Sequence, residues 1–191
     1  QAATDEQAVR DLLLRRVRAA GRTAKPARIE QDVAATLGGR EVRATLADLE
    51  GLGGRVDYRQ VDVTDLEALD AVVDDVRARY GRIDGIVHGT GRIEDSRLTQ
   101  NTPASWDRVV HTKVTPAVRL AQRLLAADVR FVALYGSVAG RYGNAGQTDY
   151  AAANELLNRL AWSWRAHSEK ATRVVALNWG PWTGGRHGRG M

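Results

Sequence analysis

Segments with helical periodicity alternate with short apolar runs of strand length between residues 66 and 177. In the helical segments apolar residues recur every three or four positions, whereas the strand-like runs are bounded by glycine or polar residues. Because a strand, a helix and a second strand in succession build a parallel sheet with crossover helices, this alternation predicts the doubly wound α/β class. The predicted elements are helix 66–80, strand Gly85–His88, a helix from about Pro103 to Ala126, strand Val129–Gly136, helix Asp149–His167 and strand Arg173–Leu177.

The preceding residues show a different pattern. Helical spacing predicts one helix over residues 5–19 and a second over Ala27–Leu52, while alternating apolar residues predict a strand over Arg55–Val61, with Asp65 capping the next helix. No strand followed by a Gly-rich turn and a helix, the unit that holds a dinucleotide pyrophosphate, precedes residue 55. We therefore expect a Rossmann-like sheet that lacks its first strand and Gly-rich turn, in a piece of a longer polypeptide or one half of a split domain.

Composition excludes several classes of function. The 28 basic residues are interleaved with 23 acidic ones, so the net charge of +5 predicts a solvated basic surface, or an acidic protein partner, rather than a nucleic-acid site. The sequence has no cysteine, which excludes disulfides and thiolate chemistry and favours a cytoplasmic location. No apolar run of about 18 residues predicts a membrane span. His88 and His111 have no second ligand at helical spacing, so no metal site is predicted.

Four polar residues form the candidate catalytic group. Ser137 ends a predicted strand, Tyr150 begins a predicted helix, and Asn154 lies one turn further on the same helix face. Ligands of open α/β sheets bind at the carboxyl ends of the strands, where Ser137 lies. A phenol titrates near pKa 10 and needs a neighbouring ammonium to act as a proton donor near neutrality, a role that suits Lys113.

Each of these residues also has an ordinary structural interpretation. Taken singly, Tyr150 is a residue of an amphipathic helix, Ser137 a helix cap, Lys113 a surface charge and Asn154 a solvated polar group. A single polar residue is weak evidence of a site, and the functional interpretation depends on the four occurring together.

The combination resembles the ketoreductase domains of polyketide and related fatty-acid synthases, within the short-chain dehydrogenase/reductase superfamily. It lies in GSVAGRYGNAGQTDYAAANELL (136–157), where Asn154 occupies the place in which most short-chain reductases carry a lysine, as YxxxK. The lysine comes earlier, in HTKV (111–114), the exchanged arrangement typical of synthase ketoreductases. The segment EVRATLADLEGLGGRVDY (41–58) is most similar to ketoreductases of enediyne or polyunsaturated-fatty-acid synthases.

The resemblance implies an NADPH site. The segment VDVTD (61–65) resembles the family's adenine-binding turn, HGTG (88–91) the segment beside the cofactor, and LNWGPW (177–182) the stretch beside the nicotinamide carboxamide. It implies no metal. The cofactor-binding residues carried over by the resemblance are Asp62, Val63, Gly89, Thr90, Gly91, Lys113, Tyr150, Gly180, Pro181 and Trp182.

The resemblance also implies the reaction: reduction of a β-ketoacyl thioester, tethered to an acyl carrier protein of the same synthase, to a β-hydroxyacyl thioester. Tyr150 is expected to protonate the forming alkoxide, Ser137 to hold its oxygen, Lys113 to favour the phenolate and contact the ribose, and Asn154 to hold Lys113 or a relay water. Asp95 and Tyr142 lie at the positions that mark product stereochemistry, with a lean towards the aspartate type. The whole chain is then a partial domain, with a helical lead-in (1–54), a catalytic portion (55–183) and a truncated loop (184–191).

Two alternatives remain open at the level of sequence. One is a free-standing short-chain reductase that acts on a small ketone without a carrier. The other is a catalytically silent domain kept for the architecture of a large synthase, against which the intact catalytic group argues.

Overall fold

The computed structural model describes residues 2–125, 129–167 and 172–181. The chain divides into two compact units, Gln1–Arg59 and Gln60–Met191. Among the helices in these described ranges, none is both long enough and apolar enough to cross a membrane. The predicted loop 184–191 and Trp182 lie outside the described residues.

The first unit is a pair of helices, α1 (Ala2–Ala19) and α2 (Pro26–Gly51). Proline at the start of α2 has no N–H that the helix would need to satisfy, so it suits that position. Val9, Ile29 and Val33 are buried between the helices and form a small core of their own. Both helices agree with the sequence prediction to within a few residues.

The second unit is built around a parallel sheet. Within the described residues the sheet has three strands in the order β1, β2, β3, so that β2 is central. Its elements are α3 (Leu66–Tyr80), β1 (Gly85–His88), a short 3-10 helix (Leu98–Gln100), α4 (Pro103–Lys113), α5 (Thr115–Leu124), β2 (Phe131–Ser137), α6 (Ala139–Tyr142), α7 (Thr148–His167) and β3 (Arg173–Trp179). The predicted α/β class with a parallel sheet is confirmed.

One face of this sheet is buried and the other is not. Leu134 in β2 and Leu157 in α7 are fully buried in a core to which α3, α5 and α7 all contribute. On the opposite face the side chains of Val87, Phe131 and Val175 are exposed. Alternation of buried and exposed residues along each strand therefore fixes which side the helices cover.

Asp65 caps α3 as predicted. Its carboxylate accepts a hydrogen bond from the backbone N–H of Ala68 at 3.0 Å, satisfying one of the donors that a helix start leaves unpaired. At the other end Gly81 adopts a left-handed conformation, with φ of 77°, and donates its N–H to the Arg77 carbonyl.

The predicted strand over Arg55–Val61 is wrong. These residues form no strand, and none of the three strands of the described sheet pairs with them. The alternation that suggested a strand does not bury the aromatic residue involved, because the Tyr58 side chain is exposed. Without a ladder partner an extended segment gains no inter-strand hydrogen bonds, and apolar alternation alone does not make it a strand.

The single helix predicted from Pro103 to Ala126 is also wrong. The structure divides it into α4 and α5, which meet at Val114. Pro116 has no N–H to donate to the carbonyl four residues earlier, and it disfavours helical geometry in the residue before it. The chain therefore breaks immediately after Lys113, which becomes the last residue of α4.

Candidate active site

The four predicted catalytic residues occupy element ends in the second unit. Ser137 is the last residue of β2, and Lys113 is the last residue of α4. Tyr150 lies in the first turn of α7, and Asn154 follows one turn later. Because the strands are parallel, Ser137 lies at their shared carboxyl edge, the place where such sheets bind ligands.

Lys113 is a buried ammonium held by backbone oxygens. Only 4% of the residue is exposed, and its Nζ donates to the carbonyl of Tyr135 at 3.0 Å and, more weakly, to that of Thr90 at 3.4 Å. The same Nζ lies 5.7 Å from the centre of the Tyr150 ring. Burial lowers the pKa of Lys113 to about 8. The structure thus brings Lys113 and Tyr150 together.

Ser137 is oriented for donation. Its Oγ accepts a hydrogen bond from the backbone N–H of Ala139 at 3.2 Å, and the residue is largely buried. A hydroxyl that accepts from a backbone amide still carries its own hydrogen. That hydrogen is suited to a carbonyl or alkoxide oxygen of a substrate.

Asn154 contacts the backbone of Tyr150. Its Nδ2 donates to the Tyr150 carbonyl at 2.7 Å, while Lys113 is held by other oxygens. Asn154 is fully buried, and its Oδ1 has no hydrogen-bond partner among the described residues. A buried acceptor of this kind is costly, and its place beside Tyr150 marks a polar position within the site. The predicted role in holding Lys113 or a relay water stays a prediction.

Asp149 is a residue that the sequence analysis did not select. It is 1% exposed, and its Oδ1 accepts the backbone N–H of Tyr150 at 2.8 Å. Its Oδ2 is buried and lacks a hydrogen-bond partner within the described part of the chain. An acidic residue in the first turn of a helix was the available signal, since that position favours negative charge.

Gly140 permits close packing of α6 on α7. A Cβ at this position would lie 2.8 Å from the Asn154 Cβ and 2.9 Å from the Glu155 backbone nitrogen. We expect Gly140→Ala to lower the free energy of unfolding by about 1–3 kcal/mol, because the backbone of α7 would have to move. Thermal unfolding measures this effect. Gly38→Ala is the control, since nothing lies within 4 Å of that Cβ and alanine favours a helix; an equal loss in both variants would contradict the packing argument.

The glycine segment after β1 reaches Lys113. A Cβ on Gly91 would come within 3.3 Å of the Lys113 Nζ, and the Thr90 carbonyl accepts from that Nζ. Absence of a side chain at Gly91 therefore keeps space beside the ammonium. Gly180 and Pro181, which follow β3, are exposed. These residues fit the ribose and nicotinamide part of a dinucleotide, and the described residues contain no strand, Gly-rich turn and helix for its pyrophosphate.

Comparison with known proteins decides the family. A sequence profile of the KR domain matches residues 14–184. The chain belongs to this ketoreductase family. Its ketoreductase sequence is 37% identical over 175 residues, 90% of the chain, to one of the subunits of the polyunsaturated fatty acid synthase of Thraustochytrium sp.. It is 34% identical over 147 residues, 73% of the chain, to the polyketide synthase PksN of Bacillus subtilis.

Solved ketoreductases share the fold. A ketoreductase domain from the bacillaene assembly line superposes with a TM-score of 0.70 at 30% identity, over 76% of this chain and 36% of that one. The ketoreductase PlmKR1 from the first module of phoslactomycin biosynthesis in Streptomyces sp. HK803 gives 0.68 at 30% identity, over 75% and 33%. The chain spans about a third of these structures, and only 6% and 3% of the two synthases.

Two further segments of the ketoreductase carry predicted binding residues. Asp62 accepts from the Thr64 backbone N–H at 2.9 Å and from its hydroxyl at 2.7 Å, and these bonds lower the pKa of Asp62. The turn precedes α3 and contains Val63, which is partly buried. The carboxylate is thus fixed as an acceptor, and its contact with an adenine stays a prediction.

Asp95 contacts the chain just before Tyr150. Its carboxylate accepts from Gln147 Nε2 at 2.9 Å, and the Ser96 N–H donates to the Gly146 carbonyl at 2.9 Å. Gln147 is buried, and sequence reasoning missed it because the pairing spans 52 residues. Tyr142 in α6 is 84% exposed. The proposed stereochemical roles of Asp95 and Tyr142 stay predictions.

Proposed function

We propose that this chain forms the catalytic part of a ketoreductase domain that reduces a β-ketoacyl thioester to a β-hydroxyacyl thioester. NADPH is the proposed hydride donor, and an acyl carrier protein of the same synthase the proposed carrier of the substrate. One observation carries the proposal: the buried ammonium of Lys113 lies beside the Tyr150 ring, at the strand edge where Ser137 ends β2.

The proposed chemistry assigns one task to each side chain. When bound, NADPH supplies a hydride to the β-carbon of the substrate. Ser137 donates a hydrogen bond to the ketone oxygen, which becomes an alkoxide as the carbon gains the hydride. Tyr150 gives its phenolic proton to that oxygen, completing the alcohol. The nearby Lys113 ammonium stabilises the phenolate that remains.

The residues around Lys113 support the cofactor proposal. Thr90 and Gly91 leave room beside the ammonium, and the phenol of Tyr150 lies on the other side of it. A ribose diol bound here would accept from the ammonium and exchange hydrogen bonds with the phenol. Among the described residues none supplies the backbone turn that cradles a pyrophosphate, and the pyrophosphate contacts are not assigned.

The carrier proposal rests on the relatives and on charge. Both sequence relatives are synthases, and the chain carries a net charge of +5. A basic surface attracts an acidic partner and increases the rate of encounter, an effect that salt weakens.

Substrate presentation tests the proposal. With NADPH, we expect kcat/KM for a carrier-bound β-ketoacyl thioester to exceed that for the same acyl group on a short soluble thiol by roughly tenfold or more, the scale of electrostatic steering. The advantage should shrink as salt rises. NADPH oxidation, followed with this chain and with the complete synthase domain, measures both rates. Equal efficiency on both substrates at every salt concentration would favour the free-standing reductase instead.

A further inference from the structure

The break between α4 and α5 leaves backbone carbonyls that need other partners. Pro116 has no N–H, so the Thr112 carbonyl cannot receive the bond that a continuous helix would give it. The break falls next to Lys113, whose side chain belongs to the candidate active site. Whatever holds these carbonyls therefore also fixes the direction in which the Lys113 side chain leaves the backbone.

Two side chains from the end of β1 occupy these carbonyls. His88 Nε2 lies 2.7 Å from the Lys113 carbonyl oxygen, and Thr90 Oγ1 donates to the Thr112 carbonyl at 3.3 Å. A carbonyl oxygen only accepts, so His88 carries its hydrogen on Nε2. Burial lowers the pKa of His88, and the Lys113 ammonium lowers it further, against an opposing effect of the carbonyl hydrogen bond. The imidazole is thus a neutral donor.

We propose that His88 is a positioning residue that holds the Lys113 backbone at the helix break and so directs the ammonium towards Tyr150. The importance of this role for catalysis rests on the proposed function, whereas the contact itself does not. His88 is 3% exposed and has no described contact with the reacting group, so it acts through Lys113.

The same short segment holds both ends of Lys113. The Thr90 carbonyl accepts from the Lys113 Nζ, while the Thr90 hydroxyl binds the carbonyl of the preceding residue. In the sheet, His88 pairs with Leu134, the residue before Tyr135, whose carbonyl is the nearer acceptor of the ammonium. Strand register therefore sets the backbone support and the ammonium acceptor side by side.

The pKa of Lys113 provides a readout that is independent of catalysis. Lys25, Lys113 and Lys170 are the lysines of the sequence, so lysine labelled with ¹³C at Cε gives few signals in an NMR titration. Lys25→Arg and Lys170→Arg assign them. The burial that lowers the pKa of Lys113 to about 8 depends on its position, and a displaced side chain would return towards the value of about 10.4 for a free lysine.

The test compares four variants of the full chain. His88→Leu removes the donor, and we expect the pKa of Lys113 to rise by about one unit or more. His88→Gln keeps an N–H of similar reach and should restore most of the wild-type value. Thr90→Val removes the second support at a part-buried position and should cause a smaller rise. Val73→Ala opens a cavity in the same core, away from Lys113, and should lower stability without moving its pKa.

The outcomes separate the two proposals. If His88→Leu and Thr90→Val both leave the pKa of Lys113 unchanged, or if Val73→Ala moves it equally, the positioning role is wrong even if the enzyme reduces ketones. If His88→Leu fails to fold, Thr90→Val carries the decision. In an active enzyme, we expect His88→Leu to lower kcat with little change in KM, and His88→Gln to recover it. Absence of ketone reduction in the wild type would count against the proposed function alone.

Discussion

Tyr150→Phe is expected to lower the rate of ketone reduction by about 10²- to 10⁴-fold, the usual contribution of a general acid. The change removes one oxygen and keeps the ring, which lies 5.7 Å from the Lys113 Nζ. Substrate binding should therefore change little, and the loss should appear in kcat. Steady-state NADPH oxidation with a β-ketoacyl thioester measures both constants.

Tyr58→Phe is the matched control. It removes the same hydroxyl from an exposed tyrosine in the first unit, and its rate should equal that of the wild type. A Tyr150→Phe protein that retained full activity would sink the proposed mechanism. A wild type that bound NADPH and substrate but turned over no faster than the variant would favour the catalytically silent alternative.

Leu134→Ala is expected to lower the free energy of unfolding of the second unit by about 2–5 kcal/mol. Leu134 is fully buried in the middle of the central strand, in the core to which α3, α5 and α7 contribute. Truncation removes apolar burial and leaves a cavity that neighbours on both sides of the strand constrain. Urea unfolding followed by circular dichroism measures the loss, which is a large fraction of a typical domain stability.

Leu98→Ala provides the comparison. This leucine in the short 3-10 helix is 68% exposed, and we expect its truncation to change stability by no more than about 0.5 kcal/mol. A loss at Leu134 no larger than that at Leu98 would mean that the core around Leu134 does not hold the sheet together.

Much of the fold could be predicted because its signals are local. The helices α1, α2, α3 and α7 follow from periodicity within single segments, and Asp65 was identified as a cap from its place before an apolar run. The order of strands and helices then restricts the sheet to parallel pairing. The family could be recognised for a similar reason, because Lys113 and Tyr150 lie in short motifs.

The errors arise where structure depends on distant partners. A strand at Arg55–Val61 needs a neighbouring strand, which periodicity within the segment cannot supply. The break before Pro116 had a local signal that the apolar pattern concealed. Its consequence had none: a histidine 25 residues away, considered in the sequence as a metal ligand or a strand end, holds the carbonyl of Lys113.

The candidate site shows the same division. Lys113, Ser137, Tyr150 and Asn154 could be named from residue type and spacing, but the buried carboxylate of Asp149 and the bond from Gln147 to Asp95 could not. Both depend on how the segment before α7 folds back on its neighbours. Burial of a polar side chain is a tertiary property, and the sequence around Asp149 resembles an ordinary helix start.

The uncovered face of the sheet bears on how the purified chain is handled. Val87, Ala133 and Val175 are paired across the three described strands, so their side chains form one apolar row, with Phe131 nearby. Water in contact with such a row favours association between molecules, and salts excluded from protein surfaces strengthen that tendency. Ammonium sulfate and phosphate buffers therefore work against keeping this chain dispersed.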